Sequence, residues 1–111
     1  LVLPSSKNMY IAKAKFLDKN NILLGLLSND IVSYNIRTKK ENWTVQASQS
    51  KFSDFSLNED RSKVAIADES GNLHIIDTAN GKILTTLSGE NLDNVFKVDW
   101  KKDTIATAGQ D

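Results

Sequence analysis

Ile22-Leu23-Leu24-Gly25-Leu26-Leu27-Ser28-Asn29-Asp30-Ile31-Val32-Ser33-Tyr34-Asn35 reads without a gap over Val64-Ala65-Ile66-Ala67-Asp68-Glu69-Ser70-Gly71-Asn72-Leu73-His74-Ile75-Ile76-Asp77, at an offset of 42 residues, from 22 to 64. A third copy begins at Ile105, 41 residues beyond Val64. A fixed period of this length marks a chain built from stacked supersecondary units, each too small to bury its own apolar face. Upstream of each copy lies a second matching unit with apolar residues at its first, fourth and sixth places. These are Ile11, Ala14 and Phe16, then Phe52, Phe55 and Leu57, then Val95, Val98 and Trp100. Each is expected to be a strand entering a core.

A polar turn follows each time: Asp18-Lys19-Asn20-Asn21, Asn58-Glu59-Asp60-Arg61-Ser62 and Lys101-Lys102-Asp103. Such residues suit hairpin connections. Exact matches between copies are few, Ser28 with Ser70, Lys40 with Lys82 and Thr44 with Thr86 among them. The repeat is one of residue class, as expected where burial holds it, because a core needs apolar volume at set places and tolerates swaps of similar size. Within one period the pattern predicts four short strands, at about 52–57, 63–68, 72–77 and 82–87, and no helix periodicity. Ser70-Gly71-Asn72 and Asn80-Gly81-Lys82 supply turns, since Gly and Asn accept the positive φ of tight hairpins.

Composition narrows the function classes. Of 111 residues, 40% are apolar, which fits a globular domain, and 14 Lys and Arg balance 14 Asp and Glu. A chain with no net charge lacks the long-range field that gathers nucleic acid or an anionic membrane. There is no cysteine and one histidine, which excludes disulfides, thiolate metal sites and thiol nucleophiles. No apolar run approaches the roughly 20 residues that span a bilayer, and Leu1-Val2-Leu3-Pro4 lacks the apolar core of a signal peptide. Neither membrane insertion nor a small-molecule substrate or cofactor is expected. The start without methionine and the stop at Ala108-Gly109-Gln110-Asp111 read as the ends of a fragment.

The stretch from Val64 to Asp77, continued by Thr78-Ala79-Asn80-Gly81-Lys82-Ile83-Leu84-Thr85-Thr86-Leu87-Ser88-Gly89, resembles the second half of a WD repeat. Ile76-Asp77 stands where that family has Trp-Asp, Gly89-Glu90 where it has Gly-His, and Ile105 to Asp111 where it has a small-residue strand ending in a turn aspartate. The family's buried network of histidine, aspartate, serine or threonine, and tryptophan is complete in none of the copies. Glu90 replaces the histidine, Ser28 and Ser70 take the turn-aspartate place, and Tyr34-Asn35 and Ile76-Asp77 replace Trp-Asp. The resemblance implies an all-β fold of four-stranded antiparallel β-propeller blades in an incomplete ring. One blade is expected at 11–50, a second at 51–94 and the start of a third at 95–111. An antiparallel sandwich also provides strands at this spacing, but gives no reason for the ungapped offset.

A propeller blade is covered by its neighbours, so two and a half blades imply completion, by the rest of the same polypeptide or by another chain. The resemblance further implies an intracellular scaffold, nuclear or cytoplasmic, that docks other proteins in a complex through loops at one face. Candidate partner-binding residues are Lys13, Trp43, Gln49, Lys51, Asp68, Glu69, Asn91, Asp93 and Lys97. Trp43 falls on the fourth strand of the first blade, at the outer edge, where a tryptophan either anchors a partner or shields the edge. A second expectation is nucleic-acid binding through Lys13, Lys15 and Lys97, although acids are interleaved and no aromatic stacking platform accompanies the lysines. Catalysis is not expected. His74, flanked by Leu73 and Ile75, reads as a packed or half-exposed strand residue with no orienting partner fixed by spacing, and Asp68-Glu69 and Glu59-Asp60 read as solvated turn charge.

Overall fold

The computed structural model describes residues 11–27, 29–46, 52–69, 71–88 and 95–109. Strands β1 (Ile11–Phe16), β2 (Asn21–Leu26), β3 (Ile31–Asn35) and β4 (Lys40–Val45) form a first antiparallel sheet in chain order. Strands β5 (Phe52–Leu57), β6 (Lys63–Asp68), β7 (Asn72–Asp77) and β8 (Ile83–Ser88) repeat it, and β9 (Val95–Lys101) with β10 (Thr104–Gly109) begin a third. No helix occurs among the described residues. The fold is therefore all-β, in meanders of four strands. β8 starts one residue later than the predicted 82, because the Lys82 amide donates to Asn80 Oδ1 at 2.9 Å and stays within the turn.

The sequence offset reappears as pairing register. Ile22 faces Tyr34 and Leu23 faces Ser33 in the first sheet; Val64 faces Ile76 and Ala65 faces Ile75 in the second. Irregularities recur at matching places too, between Ile11 and Lys13 in β1 and between Phe52 and Asp54 in β5, then between Ser33 and Tyr34 and between Ile75 and Ile76. A β-bulge adds a residue on one strand and increases the local twist, so both sheets share one shape as well as one pattern.

The two faces of each sheet explain the uninterrupted apolar runs that hide alternation in Ile22–Leu26 and Val64–Ala67. Leu23 and Ile31 of the first sheet meet Phe55, Val64, Ile66 and Ile76 of the second, with Leu17, Trp43, Val45 and Leu57 around them. On the other face of the second sheet, Ala65, Ala67, Leu73 and Ile75 meet Val98, with Trp100 and Ile105 beside them. A third cluster, Ile22, Leu24, Leu26, Val32 and Tyr34, occupies the first sheet's face turned from the second. A strand buried on both sides has no polar face to show.

One expectation needs correction. Phe55 and Val98 enter the core as predicted, but Ile11 and Phe16 are 40% and 49% exposed and Ala14 is also exposed. Ala14 holds in β1 the place of Phe55 in β5, a face that in the second sheet is covered by the first. No described sheet lies against that part of β1.

Candidate functional site

Three polar devices, two between sheets and one within the second sheet, absorb much of the chemistry the sequence offers. The first is at the inner strands. Lys13 pairs with Gly25, Asp54 with Ala67 and Lys97 with Ala108, so these three charged residues share one register position in successive sheets. Lys13 Nζ donates to Asp54 Oδ1 at 2.6 Å and to the Phe55 carbonyl at 2.8 Å, and lies 5.1 Å from the centre of the Phe55 ring. The other carboxylate oxygen of Asp54 accepts the Val98 amide at 2.9 Å. One buried carboxylate thus ties β1, β5 and β9 together. Ser56 adds a parallel link, its Oγ accepting the Trp100 amide at 2.9 Å. The sequence reading missed Asp54 entirely; the signal available was its place between Lys13 and Lys97 in the repeat register.

The second device is Trp43, which alternation on β4 turns inward. Its indole N–H donates to the Thr78 carbonyl at 2.9 Å, and its ring covers Gly81 in the β7–β8 turn so closely that a Cβ there would lie 2.7 Å from Cδ2 and Cε3. The tryptophan thus packs across the joint between the first two sheets. Gly81 has φ +77°. Its missing side chain serves both the turn and the tryptophan.

The third device is a buried chain on the second sheet. His74 is 5% and Asp68 1% exposed. His74 Nε2 lies 3.1 Å from Asp68 Oδ2, and Nδ1 lies 3.1 Å from Thr86 Oγ1. An ionised Asp68 only accepts, so Nε2 carries the proton in that pairing. Asp68 Oδ1 also accepts the Asn72 amide at 3.1 Å. His74 is packed, the first of the two states expected for it, and has a carboxylate partner that spacing did not fix; the expectation for Asp68 is overturned, since it belongs to the interior instead of the solvated rim. The reason is register, since β7 runs back antiparallel to β6 so that His74, opposite Ile66, comes beside the end of β6.

The remaining candidates are scattered. Glu69 and Lys97 are exposed. Gln49, Lys51, Asn91 and Asp93 lie outside the described residues. Trp100, expected near the core, is half-buried and donates from its indole to the Lys102 carbonyl at 2.9 Å. A groove of about 600 Å³ runs along the inner strands and includes Lys15, Arg61, Phe16, Trp100, Glu59 and Asp99. Phe16, Phe55 and Trp100 line this groove together with the cations Lys13, Lys15 and Arg61. Glu59 and Asp99 lie among them, and Arg61 donates to the Phe16 carbonyl. Among the described residues no three His, Cys, Asp or Glu side chains converge as metal ligands, and no helix is long and apolar enough to cross a membrane.

This architecture is shared with solved structures. The chain has the WD40 β-propeller fold. It superposes with TM-scores of 0.79 on the structure of U3-55K, 0.80 on the RRP9 WD40 repeats and 0.76 on the Cps50 (Swd1) β-propeller domain from Myceliophteria thermophila. Each match covers 93% of this chain at 14% identity. The chain spans only about a third of each of those structures, 34%, 33% and 35% respectively. No family model and no curated protein sequence matches it. At this identity the shared property is the fold, carried by volume and register. The incomplete ring expected from the repeat count agrees with so small a share of each propeller.

Proposed function

We propose that the chain forms part of a propeller scaffold, blades 11–50, 51–94 and the start of another at 95–111, which docks other proteins in an intracellular complex and has no catalytic role. One observation carries this reading: the groups able to do chemistry are engaged in holding blades together or in filling the interior of one blade. Lys13 and Asp54 join three sheets, and Asp68 and His74 are sealed within the second. Exposed residues, Glu69 and Lys97 among them, are then available for contact, and the sequence-based candidates Gln49, Lys51, Asn91 and Asp93 remain part of the proposal. Analogy with the WD40 fold supports a docking role without supplying a partner.

The test is affinity capture with the full-length protein, intact and with Glu69→Lys and Lys97→Glu combined. The expected outcome is a stable protein complex weakened by the charge reversal, with a modest dependence on salt. Capture of no protein partner would overturn the reading. The groove that gathers Lys15, Arg61, Phe16 and Trp100 favours a second reading, a nucleic-acid-associated propeller. That reading demands retention on nucleic acid that falls steeply with salt and is lost on Lys15→Glu with Arg61→Glu.

A further inference from the structure

The sequence contains one Asn–Gly step, Asn80–Gly81, and the fold places it at the joint between the first two blades. Asn80 is exposed in the turn joining β7 to β8. An asparagine followed by glycine has no neighbouring side chain to impede attack of the next backbone nitrogen on its own carboxamide. The Gly81 nitrogen bonds to Asn80 Cγ and loses its proton, ammonia leaves, and a five-membered succinimide results. Water then opens the ring at either carbonyl, giving aspartate, or isoaspartate in which the backbone runs through Cβ and is one atom longer.

The native turn opposes this reaction at both reacting groups. The Gly81 amide donates to the Asp77 carbonyl at 2.8 Å, and Asn80 Oδ1 accepts the Lys82 amide at 2.9 Å. The nitrogen is thereby held as a donor, and the carboxamide is turned toward Lys82. Trp43 covers the same turn through Gly81 and the Thr78 carbonyl. Reaction requires the hairpin to open locally, an event whose free energy depends on the contacts that hold it shut.

We propose that Asn80 is a modification site gated by the fold, at which opening of the β7–β8 turn permits deamidation and the isoaspartate product then prevents Trp43 from closing the joint between the blades. The consequence follows from the fit at Gly81. With no room even for a Cβ beneath the indole, an added backbone atom immediately before Gly81 displaces the turn and breaks the Trp43–Thr78 bond. The aspartate product keeps the backbone length and leaves the contact intact. Transient opening is thereby converted into a lasting weakness at one joint.

The test incubates the full-length protein at mildly alkaline pH, natively and in urea, and follows the peptide containing Asn80 by mass spectrometry, with isoaspartate measured by enzymatic methyl transfer. In urea, Asn80 is expected to deamidate before every other asparagine of these 111 residues. In the native protein it should react at least roughly tenfold more slowly, equivalent to about 1.4 kcal/mol or more of protection. Trp43→Ala should raise the native rate, and native molecules carrying isoaspartate at 80 should lose protection of the Trp43 indole from hydrogen exchange, whereas Asn80→Asp retains it. Equal rates in native and unfolded protein, another asparagine reacting first in urea, or an isoaspartate product with Trp43 still protected would each overturn the proposal. The native and urea arms need no substitution, so they decide the gating even if Trp43→Ala does not fold.

Discussion

The first and second sheets fill the same register positions with opposite chemistry. At the end of β2, Leu26 stands where β6 ends in Asp68, and Val32 on β3 stands where β7 has His74. All four side chains are buried. Thr44 and Thr86, opposite Val32 and His74, are identical, yet only Thr86 completes a hydrogen-bonded chain with histidine and aspartate. The difference shows that the blade needs volume at these places and that hydrogen bonding there is an addition, present only where every member finds a partner. A satisfied network specifies one arrangement; an apolar pair of similar shape fills the same space without a polar debt.

The inner strands provide the contrast of greatest energetic weight, because Asp54 serves three sheets at one point and no described residue of the first sheet does so. Asp54→Ala is expected to cost roughly 3 kcal/mol, at the low end for breaking a buried ion pair, since Lys13 is 30% exposed and can recover water. Urea denaturation of the full-length protein should show this as a lower midpoint, and hydrogen exchange at Val98 should rise. A midpoint unchanged within error would mean that the three-sheet link contributes nothing net.

The apolar and polar versions of the blade can also be exchanged. His74→Val alone leaves the buried Asp68 carboxylate without its imidazole partner and is expected to cost about 2 kcal/mol. Adding Asp68→Leu copies the first sheet's solution and should recover most of that loss, leaving a net change of roughly 1 kcal/mol or less. Denaturation midpoints of the single and double variants measure the coupling directly. A double variant less stable than either single would show that the polar chain does more than fill volume.

Much of the fold was legible because burial writes a regular signal. The offset from Ile22 to Val64 anticipated the pairing register, and Phe52–Leu57, Lys63–Asp68 and Asn72–Asp77 became strands within the expected limits. The polar devices, between blades and within the second, were not legible, since each depends on which neighbour a side chain meets. Alternation places Trp43 on one face of β4, but its meeting with Gly81 depends on how two sheets stack. Asp68 and His74 are six residues apart across a turn, where spacing alone describes a solvated acid and a strand histidine equally well. Burial of the lone histidine beside a carboxylate required the register of β6 with β7.

The smallest expected effect concerns the hairpins that join the first two strands of each sheet, built differently around equivalent aspartates. Asp18 accepts the Asn21 side-chain amide at 3.0 Å with both oxygens, and its Oδ1 also takes the backbone amides of Asn20 and Asn21. Asp60, in the longer turn, accepts the Ser62 hydroxyl at 2.6 Å and the Ser62 amide at 3.0 Å. Hydrogen bonding, first from Asn21 for Asp18 and from Ser62 for Asp60, lowers both carboxyl groups below their ordinary value of 3.8. A depressed folded-state value means that the stabilisation is present at pH above 3.8 and is lost as the pH falls through the folded value. Asp18→Asn, which keeps a turn-forming side chain but removes the charge, should therefore lie slightly below the parent in stability near neutral pH. The gap should close in acid as the parent's own carboxyl is protonated. Carbon-detected titration of the two carboxyl groups, with urea midpoints of parent and variant across the same range, checks both statements. A gap that persisted after Asp18 had titrated would assign the effect to turn geometry instead of charge.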